Sequence, residues 1–265
     1  MIDMQSQADD RQIDIDQVGV SDLRSPIVVL DRASERQSTV ASVNMSVALP
    51  HHFKGTHMSR FVEVLNEHRG ELTMRTMPAL LSDLKARLEA ESARVEVRFP
   101  YFIERAAPAS GAKGLMDYES WFHAETNAHG DDFVLGVRVP VTSLCPCSKA
   151  ISDYGAHNQR GYISIDVRSE ADADGRPTVI WLEELVEVAE ASASAPVYAL
   201  LKREDERHVT MQAYDNPVFV EDMVRNVAFR LRKDERVLWF RVHAVNHESI
   251  HNHGAFAQIE WKRGL

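Results

Sequence analysis

The amino-acid sequence predicts an α+β fold in which antiparallel sheets carry helices packed on one face. Three observations predict it. Several segments alternate apolar and polar residues with period two, as half-buried strands do. Others repeat apolar residues every three or four positions, as amphipathic helices do. Each half of the chain also runs through the same series of strands, then helices, then two strands, an order that suits an antiparallel sheet with one covered face. No sequence words repeat between the halves, so the duplication is one of architecture.

Residues 1–36 are polar, acid-rich and weakly periodic, and read as a flexible leader. Order is expected from Ser38–Leu49, where Val40, Val43 and Val47 stand among small and polar residues in a strand-like mixture. Thr56 stands where an N-cap is needed for a helix carrying Phe61, Val64 and Leu65, with Gly70 as its stop. A second helix spans about Met74 to Glu91, because Met77, Leu80, Leu81, Leu84 and Leu88 form one stripe. Val95, Val97 and Phe99 alternate with polar residues, as do later residues up to His123, which gives two strands joined through Ala106–Gly114.

In the second half, Phe133–Val141 and Gly161–Val167 read as strands and Ala171–Pro177 as a turn or surface insertion. Trp181–Glu190 reads as a helix and Ala195–Lys202 as another. Asn216 followed by Pro217 is a helix-start signal for the stripe Val220, Met223, Val224, Val227 and Leu231. Arg236–Asn246 and Ala255–Lys262 are the last strands. The division that follows is a leader over 1–36, a first module over 37–130 and a second over 131–265. One face of each sheet needs a cover, which a barrel built with other copies of the chain would supply.

The 265 residues are 44% hydrophobic and 26% charged, enough apolar material for a sizeable core. Thirty basic against forty acidic residues leave a net charge of −10, which argues against non-specific nucleic-acid binding. A polyanionic ligand would require a few cations focused in one cleft. Cys145 and Cys147 are the two cysteines. Residues two apart cannot form an unstrained bridge, so the thiols point to a reducing compartment and a chemical role. The N-terminus lacks the basic and apolar regions of a secretory signal, and no run of ~18 apolar residues could span a membrane. A cytoplasmic protein is expected.

The chemistry concentrates in three places. Thr142–Lys149 carries Cys145 and Cys147 where a strand is expected to leave the sheet, and His157 follows in the loop before the next strand. Thiolate and neutral imidazole are preferred ligands of zinc and similar ions, although the spacing matches no standard structural zinc site. The alternative is two buried free cysteines acting as small apolar side chains. A second concentration places His247, Glu248, His251 and His253 between the last two strands. His251 and His253 would point the same way in extended chain and could bind metal or move protons. A solvated polar loop is the alternative. The third is acidic: Glu204, Asp205 and Glu206 lie within Lys202–Arg207, and Glu221 and Asp222 lie early in the capped helix. The first run reads as a solvated face. Glu221 stands beside the apolar stripe and would need a partner if turned inward.

Three words, VPVTSLCPCSKAISDYGAHNQRGYI, YDNPVFVEDMVRNV and VNHESIHNHGAFA, resemble GTP cyclohydrolase I of type IB, a bacterial folate-pathway family. The likeness runs from about Ser38 onward. It implies a tunnelling fold, with two such modules per subunit, active sites at subunit interfaces and a homotetramer. It also implies conversion of GTP and water to 7,8-dihydroneopterin triphosphate and formate, a product that feeds folate and deazaguanine synthesis. By resemblance, Cys145, His157 and one carboxylate of Lys202–Arg207, taken as Glu206, would hold zinc or manganese. Cys147 would contact the purine. Glu248, His251 and His253 would transfer protons, and Glu221 would anchor the guanine edge. Lys149, Lys202 and Arg60 are the candidates for the triphosphate. Two other readings compete: a tunnelling-fold nitrile reductase acting on a deazapurine with NADPH, and a zinc-stabilised binding module closed by both cysteines and two histidines.

Overall fold

A computed structural model of the protein describes residues 5, 7, 9–68, 70–172 and 176–264. Part of the expected turn at Ala171–Pro177 lies outside the described residues. The described residues form two compact units, one from Met1–Pro100, Trp121–Leu135 and Ala173–Pro177, the other from Tyr101–Ser120, Gly136–Asp172 and Thr178–Leu265. A single cut at residue 130 therefore does not separate them. The strands β3 (Ala93–Ala106), β4 (Lys113–Asn127) and β5 (Gly130–Leu144) each give one end to either unit.

In the first unit, β1 (Ile15–Asp31) pairs antiparallel with β2 (Glu35–Leu49), and β2 pairs with β3. The expected leader is thus corrected, because residues 15–31 are a strand. The reason it reads as leader is physical. Only Ile27, Val29 and Asp31 of β1 are buried, so its apolar alternation is short. Two register shifts, before Val18 and before Leu23, break the period-two pattern further. Gly19 is required within the strand, since a Cβ there would lie 1.9 Å from the Met45 carbonyl oxygen. Asp22 has φ of 57° at the second irregularity, where its N–H donates to Asn44 Oδ1 at 2.8 Å.

On β2, Ala41, Val43, Met45, Val47 and Leu49 face the core. Helices α1 (Met58–Glu67) and α2 (Met77–Leu88) pack against each other and against these strands. Phe61, Val64 and Leu65 of α1 and the whole expected stripe of α2 are buried.

In the second unit, β6 (Asn158–Ser169), β8 (Val237–His247) and β9 (Gly254–Lys262) are consecutive antiparallel neighbours. Their core face carries Ile163, Ile165, Val242 and Ala244. The covering helices are α4 (Leu182–Glu190) and α6 (Val220–Leu231). Met223, Val224, Val227 and Leu231 form the buried stripe of α6, as the sequence predicts. A short α3 (Pro146–Ile151) leaves the end of β5.

The expected helix over Ala195–Lys202 is not formed. Ala195 and Pro196 make the two-residue strand β7, which pairs with Val141 and Thr142. Pro196 lacks the N–H that a helix interior would use. The helix starts later, as α5 (Arg203–Asp215), in which only Asp205 and Ala213 are buried. With no apolar stripe to read, its acidic first turn looks like any solvated charge run.

Asn216 is likewise not the cap of α6. Its Nδ2 donates to the carbonyls of Ala193 and Ser194 at 2.9 and 3.3 Å, and α6 begins at Val220, with Asp222 accepting from the Phe219 N–H at 3.3 Å. Among the described residues, no helix is long and apolar enough to cross a membrane.

Candidate active site

Cys145 is the hinge between β5 and α3. Its backbone N–H donates to the His157 carbonyl at 3.2 Å, so the loop from Cys145 to His157 closes on itself. Ser148 fastens the closure. Its N–H approaches Cys145 Sγ at 3.5 Å, its hydroxyl donates to the Cys145 carbonyl at 3.3 Å, and the same oxygen accepts from the His157 N–H at 3.1 Å. A thiol and an imidazole twelve positions apart are thereby brought to one edge of the unit.

They line a pocket of about 280 Å³ together with Glu221, Glu248, His251 and His253. The β8–β9 hairpin supplies the last three, since its pairing ends at His247 and Gly254 and leaves 248–253 as the loop. The rings of His251 and His253 lie 5.1 Å apart and 20° from parallel, although the segment that carries them is a bend rather than extended chain. Glu221 enters from the first turn of α6, where its carboxylate is exposed rather than turned inward.

Three further lining residues were not picked out by sequence reasoning. Gln159 Oε1 is 2.7 Å from His157 Nδ1, and Gln159 Nε2 is 3.3 Å from Glu248 Oε1. Asn246 Nδ2 donates to Ser143 Oγ at 3.0 Å, and that hydroxyl donates to the Val218 carbonyl at 3.2 Å. This buckle ties the ends of β5 and β8 to the segment before α6. Asn246 Oδ1 is buried with no hydrogen-bond partner among the described residues. A Cβ at position 161 would lie 2.6 Å from it, so any residue larger than glycine there would push the Asn246 side chain out of place. Amides and hydroxyls are common residues, and the one available signal was that all three lie inside or beside the histidine- and cysteine-bearing words.

The remaining expected residues stand outside the pocket lining. Cys147 is exposed on α3. Lys149 donates to the Tyr214 carbonyl at 2.5 Å and lies 4.2 Å over that tyrosine ring. Lys202 precedes α5, and its N–H donates to Asp205 Oδ2 at 2.8 Å. Arg60 belongs to the first unit, where its guanidinium donates to the Arg87 carbonyl at 2.9 Å and so supports the end of α2.

Glu206 is exposed on the first turn of α5, and its neighbour Asp205 is buried. Asp205 accepts from the N–H groups of Ala109 and Ser110, both at 2.8 Å, and from the Ser110 hydroxyl at 2.6 Å. Burial alone would raise the Asp205 carboxyl, but these bonds outweigh it and hold the group well below the usual carboxylate range. Of the three acids, Asp205 is therefore committed to the fold.

Cys145 and His157 fit a divalent cation by donor chemistry, since sulfur and imidazole are preferred ligands of zinc, whereas manganese would draw more on carboxylate and water oxygens. The full expected set is not gathered. Among the described residues no three His, Cys, Asp or Glu side chains are close enough to hold an ion.

The profile of the family described as "Type I GTP cyclohydrolase folE2" matches residues 1–257. The chain is 54% identical over 261 residues to GTP cyclohydrolase FolE2 of Syntrophotalea carbinolica, covering 98% of this chain and 95% of that protein. It is 54% identical over 260 residues to GTP cyclohydrolase FolE2 of Geobacter sulfurreducens, covering 98% of each. Among solved structures, urate oxidase from Bacillus sp. TB-90 superposes with a TM-score of 0.57 at 9% identity, over 94% of this chain and 100% of that one. The uricase from Bacillus fastidious gives 0.56 at 8% identity, over 93% and 92%. These two likenesses show the fold alone, the α+β antiparallel architecture that the sequence predicts.

Proposed function

The chain belongs to the type I GTP cyclohydrolase FolE2 family, and from that premise we propose that it converts GTP and water to 7,8-dihydroneopterin triphosphate and formate. The observation that carries this reading is the pocket itself. Six residues singled out for their chemistry, Cys145, His157, Glu221, Glu248, His251 and His253, come from four separate segments and line one cavity.

Cys145 and His157 would hold the divalent cation, zinc or manganese, with Glu206, which stands outside the pocket lining, having to be brought to it as the third ligand. Glu206 is preferred to Asp205 because the Asp205 oxygens are already taken. When bound, such an ion supplies a water made acidic enough to attack at neutral pH, with a pKa near ~7. The protein's own groups do the rest. Glu221 accepts two hydrogen bonds from the N1–H and exocyclic amine of guanine, a donor pair that adenine lacks. This fixes the purine edge so that C8 faces the thiol and imidazole side of the pocket.

His251 and His253 exchange protons with the ring nitrogens as the imidazole ring opens and the pyrazine ring closes, work for which imidazole is suited near pH 7. Glu248 carries the negative charge that steadies a protonated histidine. Cys147, two residues beyond Cys145 on α3, would contact the purine. Lys149 and Lys202 attract the triphosphate. Arg60, like Lys149, already donates to a backbone carbonyl, and each would have to leave that contact to reach the triphosphate.

A homotetramer acting in the cytoplasm completes the proposal. Its support is the β9 edge, which pairs with β8 alone in the strand order and carries Phe256 at 70% exposure.

Incubation of the purified chain with GTP and manganese tests the function. Formate and, after oxidation, a fluorescent pterin are expected from GTP and not from ATP. Absence of formate from GTP with either metal present would contradict the assignment.

A further inference from the structure

Gln159 stands between a carboxylate that admits only its N–H end and an imidazole that takes the end left over. Gln159 Nε2 faces Glu248 Oε1 at 3.3 Å and Gln159 Oε1 faces His157 Nδ1 at 2.7 Å. A carboxylate can only accept, so it takes the N–H end of the amide. The carbonyl end is left to the imidazole, and an oxygen can only accept there too. Nδ1 must therefore carry the ring proton, and in a neutral imidazole Nε2 is then a bare lone pair. The opposite amide orientation would set Oε1 against the Glu248 carboxylate and is excluded by repulsion.

The arrangement is sheltered. Gln159 is 6% exposed, and the His157 and Glu248 side chains are 11% and 15% exposed. Glu248 Oε2 lies 3.8 Å from the same Nδ1, adding its charge on the protonated side of the ring. The side chain of histidine free in water prefers its proton on Nε2, so the protein holds His157 in the less favoured form. That form leaves Nε2 able to bind a cation.

We infer that Gln159 is a positioning residue that fixes the tautomer of His157 and so presents the Nε2 lone pair to a divalent cation, with Glu248 orienting Gln159 in turn. The inference rests on the reading of His157 as a metal ligand. Partners of this kind behind a ligating histidine are worth roughly 10–100-fold in metal affinity.

The test uses the full chain with 15N-labelled histidine, as the parent protein and as Gln159→Leu, Gln159→Glu paired with Glu248→Gln, and His157→Ala. Imidazole 15N shifts of the metal-free proteins at mildly alkaline pH read the tautomer, and the resonances lost in His157→Ala identify the ring. Zinc affinity is read separately, by competition against a chelator. The parent is expected to show the Nδ1–H form. Gln159→Leu should shift His157 toward the Nε2–H form and weaken zinc roughly 10–100-fold.

Gln159→Glu keeps an acceptor at Nδ1 and, paired with Glu248→Gln so that no carboxylate oxygen is set against another, should keep the parental tautomer and recover most of the affinity. It also covers the case in which the leucine variant fails to fold. A parent protein with the proton on Nε2, or a folded Gln159→Leu that keeps the parental tautomer or binds zinc as tightly as the parent, overturns the inference. Unchanged zinc binding in His157→Ala overturns the ligand reading instead, and the tautomer of the parent still decides the role of Gln159.

Discussion

Cys145→Ala is expected to lose metal and turnover together, whereas Cys147→Ala loses turnover and keeps its metal. The two thiols differ in what surrounds them. Cys145 lines the pocket with His157 and is tied to it through the backbone bond at 3.2 Å and the Ser148 bridge. Cys147 is exposed on α3 and outside that lining. Removal of a direct ligand should weaken metal binding by more than the ~100-fold seen when an outer partner is lost. Turnover should then fall at least ~10³-fold, because several kcal/mol of water activation disappear with the ion.

For Cys147→Ala the expected fall is ~10²–10⁴-fold with metal content unchanged, the range for loss of one positioned reacting group. Metal content by elemental analysis and formate release from GTP check both. If both variants hold metal like the parent, the ligand assignment fails. Loss of metal from both variants would instead favour a site closed by both thiols.

Glu221→Gln should reduce kcat/KM for GTP by ~10²–10⁴-fold while leaving metal content unchanged. Two hydrogen bonds to a charged acceptor contribute about 1.5–3 kcal/mol each, and every 1.4 kcal/mol is about tenfold. The amide offers one acceptor and places an N–H group against a guanine donor, so the variant both loses a bond and gains a repulsion. Glu221 sits on the exposed first turn of α6, anchored beside the buried Val220 and Met223. It is therefore accessible to a purine edge without disturbing the helix. Steady-state kinetics with GTP and with inosine triphosphate, which lacks the exocyclic amine, provide the check. Undiminished preference for GTP over inosine triphosphate in the variant would remove Glu221 as the anchor.

What could be read from the sequence follows from how each residue acts. The stripes of α2 and α6 were legible because burial imposes a period on apolar residues, and the structure buries Leu80, Leu84, Met223 and Val227 as expected. Strand β1 was not legible, because its bulges near Gly19 and Asp22 shift the alternation and most of it faces away from the core. Helix α5 was hidden for a related reason: Asp205 holds it down through hydrogen bonds to Ala109 and Ser110, which leave no periodic trace.

The pocket was partly legible. Cys145, His157 and the histidine loop are rare residue types crowded into short words, and Glu221 stood out only by its place beside an apolar helix stripe. Gln159, Ser143 and Asn246 act only through partners distant in sequence, as when Asn246 reaches Ser143 across the sheet.

The central claim is that one divalent ion is held by the sulfur of Cys145 and the imidazole of His157. X-ray absorption at the zinc edge, on protein loaded with a single equivalent of zinc, tests it most directly. The expected spectrum has one sulfur scatterer at ~2.3 Å, with nitrogen and oxygen at ~2.0–2.2 Å making up the rest. The sulfur should vanish in Cys145→Ala and persist in Cys147→Ala. A spectrum with no sulfur, or with two sulfurs in the parent protein, would contradict the account.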